Sequence, residues 1–172
     1  MTPIPETYKT PHGLTDDLRA ALLERSSVTL GTTNPDGSPH LTVVLFSLDD
    51  EGRVQIPTPR TTRKIKNIRA NPLVSALGLL TDGWVACTGT ARLVDGNEAA
   101  QINRGVRERL FTEAGLATMG VFLEAHEDVT IEIEPTKWLS YSTDPIDGWI
   151  EAQGIDASAF DGPWMRNLSA EQ

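Results

Sequence analysis

The spacing of apolar residues along the chain changes several times, and each change marks an element. Leu14, Leu18, Ala21 and Leu22 recur at helical intervals behind Thr15 or Asp16, with acids in the first turn and Arg25 in the last; this predicts a helix over 15–25. From Ser27 the period falls to that of strands. Val28–Thr33 and His40–Leu48 flank Asn34-Pro35-Asp36-Gly37, in which proline presets one turn position and glycine is free to take positive φ, so the two runs form a hairpin. A second turn, Asp49-Asp50-Glu51-Gly52, leads into a strand over 53–58. Thr81-Asp82-Gly83 then joins a strand over 73–80 to one over 84–94. Between them, residues 61–70 read as one short helix, closed by Asn71-Pro72 because a residue before proline leaves the α region.

After Asn97 the helical period returns, with Ala99, Ile102, Val106 and Leu110 marking a long helix to about Phe111. Residues 112–126 fit neither period well and admit a short helix. Val129, Ile131 and Ile133 alternate with Thr130, Glu132 and Glu134, the pattern of a strand wet on one face, and Trp138 and Tyr141 extend it. Several short strands in antiparallel succession with few helices predict a mainly β, α+β chain whose meander closes into a small barrel or sandwich. Residues 1–13, with three prolines, read as an extended arm ahead of a domain over 14–142. The segment 143–172 has six acids against one base, yet keeps Trp149, Phe160 and Trp164, so it is expected to dock on the barrel or on a partner subunit.

Composition changes this picture at one place. The chain of 172 residues carries a formal charge of −9, yet six of its fifteen basic residues fall between Arg53 and Arg69. At about 100° per residue, Arg60, Arg63, Lys64 and Asn67 share a stripe of the short helix. Ile65 and Ile68 take the neighbouring stripe, while Lys66 and Arg69 point away. Arg60 and Thr61 sit where a helix N-terminus already favours an anion, and an arginine fork beside a lysine point charge both grips and orients a phosphate. A solvated basic face is the plain alternative.

Other chemistries lack their patterns. His12, His40 and His126 are far apart and show no ligand spacing, so no metal site is expected. Cys87 lies in an apolar strand and reads as a small buried residue. There is no G-x-S-x-G, no G-x-G-x-x-G and no G-x-x-x-x-G-K-[ST]. The acidic pI near 4.7 argues against nucleic acid, no run approaches a membrane span, and a single cysteine with no signal-peptide pattern suits the cytoplasm.

Three blocks resemble the flavin and deazaflavin oxidoreductases with the split β-barrel of pyridoxamine 5′-phosphate oxidase, an FMN-binding fold. They are Asn34-Pro-Asp-Gly-Ser-Pro-His with the strand Leu41–Ser47; Thr58-x-Arg60-x-x-Arg63-Lys64-x-x-Asn67-Ile68-Arg69-x-Asn71-Pro72; and the strand pair ending Gly89-Thr90-Ala91 and Ile133-Glu134-Pro135. The resemblance implies that Pro57 and Thr58 close on the ring and ribityl chain and that Arg60, Arg63 and Lys64 hold the phosphate. It further implies that Val43, Val44 and Leu45 lie along the flat ring, and that the site sits in a homodimer interface. Pyridoxamine phosphate oxidases carry an arginine and a lysine where this chain has Thr42 and Ser47, and a basic C-terminal motif where this tail is acidic. The pattern is instead similar to the branch using coenzyme F420, whose anionic tail Lys66 or Arg69 could meet. It implies a reductase passing a hydride to a conjugated or electron-poor small-molecule acceptor, with no protein nucleophile. The same fold with FMN, or a non-enzymatic flavin- or haem-binding module, is the alternative.

Overall fold

A computed structural model describes residues 6–9 and 13–155. Phe160 and Trp164, expected in a docked tail, lie outside the described residues, as does His12. The elements in order are β1 (Tyr8–Lys9), α1 (Asp16–Leu23), β2 (Ser27–Thr33), β3 (Pro39–Leu45), β4 (Ser47–Leu48), β5 (Val54–Thr58), α2 (Arg63–Ala70), β6 (Leu73–Leu80), β7 (Gly83–Asp95) and α3 (Gly96–Leu110). They are followed by α4 (Glu113–Gly115), a π-helical turn at Leu116–Gly120, α5 (Val121–His126), β8 (Val129–Ser142) and α6 (Asp144–Ala152).

All strand pairs are antiparallel, in the order β3-β2-β6-β7-β8-β5-β4, with β1 added to β8. The two ends of that path, β3 and β4, are consecutive in the chain and separated by Phe46 alone, so the sheet closes on itself through a corner in the chain. β3 and β5 come into contact across this closure, yet no ladder joins them among the described residues. The architecture is the expected split barrel with flanking helices. The strand expected over 40–48 is broken by the corner, which hydropathy does not mark because the inward alternation Val44, Phe46, Leu48 runs straight through it.

Alternation supplies the core. Leu30, Val54, Ile56, Val85, Val129, Ile131 and Ile133 point inward from their strands, Phe46 does so from the corner, and Ile65 and Ile68 of α2 join the cluster. Burying each such side chain contributes about 1.5–3 kcal/mol. Leu14, Leu18 and Leu22 pack α1 on the core as their spacing predicts. The Asn34–Gly37 turn forms with Gly37 at φ 84°, its N–H bonded to Asn34 O at 2.9 Å. Tyr8 and Lys9 of the arm pair with Tyr141 and Ser140, and Ile150 of α6 is buried. Cys87 is buried in the barrel, where burial pushes its thiol up to about 11.

Candidate functional site

Sheet register sets the floor of the site. Thr58, the last residue of β5, pairs with Val129, and Val129 also pairs with Asp95 at the end of β7. The residues just past these ends therefore converge. Arg60 meets Asp128 and Asp95: its main-chain N–H donates to Asp128 Oδ1 at 2.7 Å, its Nε to Asp128 Oδ2 at 3.0 Å, and its Nη2 to Asp95 Oδ1 at 2.5 Å. Hydrogen bonds from the Arg60 backbone and guanidinium hold the Asp128 carboxyl below the usual carboxylate range.

α2 begins at Arg63, two residues later than its periodicity indicates, because Thr62 takes the extended cap conformation and turns its hydroxyl to Pro59 O at 3.0 Å. No side chain caps the helix, so the first-turn N–H groups remain available to an anion. Within α2 the stripe divides. Asn67 is 1% exposed and donates through Nδ2 to Thr32 Oγ1 and Asn34 Oδ1, both at 3.0 Å, which ties the helix to the β2–β3 hairpin. Arg63, Lys66 and Arg69 are exposed, Lys64 is half-buried, and none of the four has an ion-pair partner within 4 Å among the described residues.

Each cation of the predicted stripe nevertheless has a carboxylate near it. Arg60 has Asp95 and Asp128. Arg63 contributes to keeping Asp36 ionised, after the stronger hydrogen bonds from Ser38. Burial pulls the Lys64 ammonium below its ordinary value, and the negative charge of Glu127 partly offsets that fall. Glu127 is itself held by Arg107 Nη1 at 3.4 Å, a pair whose side chains are only 6% and 9% exposed. Burial pushes the Glu127 carboxyl above the ordinary range, and Arg107 and then Lys64 oppose that rise. Beneath them Asn103 Nδ2 donates to Glu127 O at 3.0 Å, and Thr130 Oγ1 donates to Asn103 Oδ1 at 2.6 Å.

The ring-side residues lie across the unladdered closure. Val43 and Leu45 face outward on β3, Val43 being 73% exposed, whereas the Val44 side chain points into the core. Val44 can therefore offer a flat ligand its backbone but not its side chain. Pro57 and Thr58 are both buried on β5, and Thr58 Oγ1 has no hydrogen-bond partner among the described residues; nor does Asn67 Oδ1. Unpartnered buried acceptors and donors are uncommon, so these two fit a site that an additional polar group completes. On the outer face of β2, β3, β6 and β7 lies a groove of about 570 Å³ lined by Gly31, Leu41, Leu73, Ser75, Thr88 and Thr90, without an ionisable side chain. Among the described residues no group of His, Cys, Asp and Glu could hold a metal ion, and no helix is long and apolar enough to cross a membrane.

Asp95, Arg107, Glu127 and Asp128 are the members of the site that periodicity does not find. Asp95, Glu127 and Asp128 are placed by the β5–β8 and β7–β8 register and Arg107 by the packing of α3 on β5 and β8, all long-range properties. The weak local signal is that Glu127-Asp128 immediately precedes a strongly alternating strand.

Residues 14–141 match the model of the pyridoxamine 5′-phosphate oxidase family, and the chain belongs to that family. Among solved structures, the conserved hypothetical protein Rv2991 from Mycobacterium tuberculosis is 25% identical, with a TM-score of 0.62 and coverage of 76% of this chain and 85% of that one. An F420 reductase is also 25% identical, with a TM-score of 0.54 over 68% of this chain and 92% of its own. The heme storage protein HutZ from Vibrio cholerae shares the fold at 20% identity, with a TM-score of 0.59 and coverage of 76% and 95%. No curated protein matches the chain.

Proposed function

We propose that this member of the pyridoxamine 5′-phosphate oxidase family is a homodimeric, cytoplasmic oxidoreductase that uses coenzyme F420 to reduce a small conjugated or electron-poor acceptor. The observation that carries the reading is the start of α2: uncapped N–H groups beside Arg63 and Lys64, at the end of a strand with a buried Thr58 hydroxyl, where among the described residues neither cation has an ion-pair partner within 4 Å and the hydroxyl has no hydrogen-bond partner. Arg63 and Lys64 grip the phosphate. Arg60, engaged by Asp95 and Asp128, fixes the loop that presents them. Pro57 and Thr58 close on the ring side of the cofactor, with the β3 backbone at Val43–Leu45 opposite. Lys66 and Arg69, exposed and without an ion pair among the described residues, suit an anionic tail.

The deazaflavin supplies hydride chemistry when bound, so the chain needs no nucleophile. Its residues position donor and acceptor and exclude water. The uncharged groove beside β3 suits an acceptor without a formal charge. Structural similarity to an F420 reductase at 25% identity supports the cofactor. FMN is the second reading, supported by the family match itself.

Titrating the same apo-protein with F420 and with FMN, followed by fluorescence, separates the two readings. Tighter F420 binding is expected; tighter FMN binding moves the assignment to the flavin, and saturation by neither removes both. Each charge-assisted bond to phosphate is worth about 1.5–3 kcal/mol, so Arg63→Ala or Lys64→Ala should raise Kd about 10- to 100-fold while barely changing the melting temperature. Steady consumption of reduced cofactor with an acceptor distinguishes an enzyme from a binding module of the same fold.

A further inference from the structure

The two halves of the candidate site come from opposite sides of the unladdered closure. Pro57, Thr58 and the α2 cations follow β5, whereas Val43–Leu45 belong to β3, and no ladder joins those strands among the described residues. Side chains must therefore set the distance between them. Arg60 pins the segment before α2 to the ends of β7 and β8 through Asp95 and Asp128. Asn67, one turn into the helix, pins α2 to the other side. Among the described residues, the side-chain hydrogen bonds that leave α2 are the two that Asn67 Nδ2 donates to Thr32 Oγ1 and Asn34 Oδ1 of the β2–β3 hairpin.

The polarity of this link is fixed from the turn outward. An ionised Asp36 carboxylate only accepts, so the Ser38 hydroxyl donates to it at 2.6 Å and accepts from Asn34 Nδ2 at 3.1 Å. That leaves Asn34 Oδ1 as the acceptor for Asn67. Thr32 Oγ1 accepts from the same amide and keeps its own hydrogen for His40, its partner on the strand that also carries Val43. Asn67 and Thr32 are both buried, so water does not compete for their bond.

We propose that Asn67 is a positioning residue that joins the two sides of the closure, so that Thr32 and Asn34 set how far the phosphate grip on α2 stands from the ring wall on β3. The inference rests on the functional reading for a ligand with a phosphate and a flat ring on one chain, a form that F420 and FMN share. A simple anion uses only groups that α2 carries with it: the first-turn N–H groups, Arg63 and Lys64. A ring joined to that anion must also reach β3, and only such a ligand feels the spacing.

Binding of F420, or of FMN where the wild type prefers it, is measured by fluorescence beside binding of inorganic sulfate by calorimetry. Thr32→Val removes the hydroxyl at nearly constant shape, and Thr32→Ser keeps it. The expected result is a cofactor Kd raised about fivefold by Thr32→Val and returned to within about twofold of the wild type by Thr32→Ser, with sulfate affinity unchanged in both. Asn67→Leu, which removes both bonds, should raise the cofactor Kd about 20-fold, again without loss of sulfate. Where that variant does not fold, the two Thr32 variants decide. Equal weakening of sulfate and cofactor overturns the proposal, since Asn67 then only shapes the helix start. So does a Thr32→Val protein that binds cofactor as the wild type does, or a Thr32→Ser protein that fails to restore binding; both leave the cofactor assignment standing. A wild type that binds sulfate but neither cofactor discards the functional reading and this inference with it. Sulfate that does not bind the wild type removes the grip on which both rest.

Discussion

At the level of single residues, the ion pairs around α2 differ in burial and so in what their loss costs. The Arg107–Glu127 pair is nearly enclosed. Removing the arginine strands a carboxylate in a poorly solvated place, and Arg107→Met should destabilise the protein by about 3 kcal/mol at pH 7. That loss should shrink as the solution is acidified, because the Glu127 carboxyl, already raised by burial, escapes the penalty of a stranded charge by taking up a proton; melting temperatures across the acid range test this. Asp128 has the opposite sign. Its folded pKa lies below the unfolded value of 3.8, so it contributes stability above that value and loses it as pH falls through the folded one. Asp128→Asn should therefore melt below the wild type at pH 6 and converge with it as the solution is acidified past about pH 4. The basic stripe itself is legible in the sequence because it needs only a local period. The acids opposite it are not, since Asp95 and Asp128 reach Arg60 through strand pairing across 35 and 68 positions of chain.

Between elements, close approach of backbones decides which positions tolerate change. A Cβ at Gly89 would collide with the Glu134 main-chain carbonyl at the bulge where β7 slips against β8. A Cβ at Gly78 would meet a terminal methyl of the Leu22 side chain rather than backbone. Gly89→Ala should thus cost about 3 kcal/mol and Gly78→Ala distinctly less, as read from urea midpoints. A second link between elements is Arg109, near the end of α3, which donates to Leu23 O at 2.8 Å, to Arg25 O at 3.3 Å and to Phe46 O, and stacks 5.2 Å from the Phe46 ring. One side chain thereby fastens α3, the loop after α1 and the corner between β3 and β4. Arg109→Met should lower stability by about 2 kcal/mol in the same assay, a loss softened because water can reach part of the site. The identities of α1, α2, α3 and of β2 to β8 follow from period, whereas α4, α5 and α6 do not, and neither does the corner at Phe46, since the alternation of Val44, Phe46 and Leu48 continues through it.

For the molecule as a whole, Leu41 and Val43 on β3 and Leu73 and Leu79 on β6 stand 63–73% exposed on one side of the sheet. Soluble monomers seldom leave such a patch uncovered, and its cover in our reading is the second subunit. Val43→Asp combined with Leu41→Asp should convert a dimer to a monomer by light scattering and weaken cofactor binding in parallel; a wild type already monomeric at micromolar concentration would contradict the dimer. The barrel class is legible from strand count and turn spacing, and the closure is not, because it depends on which strands fail to pair. That failure has a mechanical consequence. Among the described residues the cylinder is an open hoop where β3 passes β5 rather than a welded one, and its girth can change there without rupturing an inter-strand N–H···O bond.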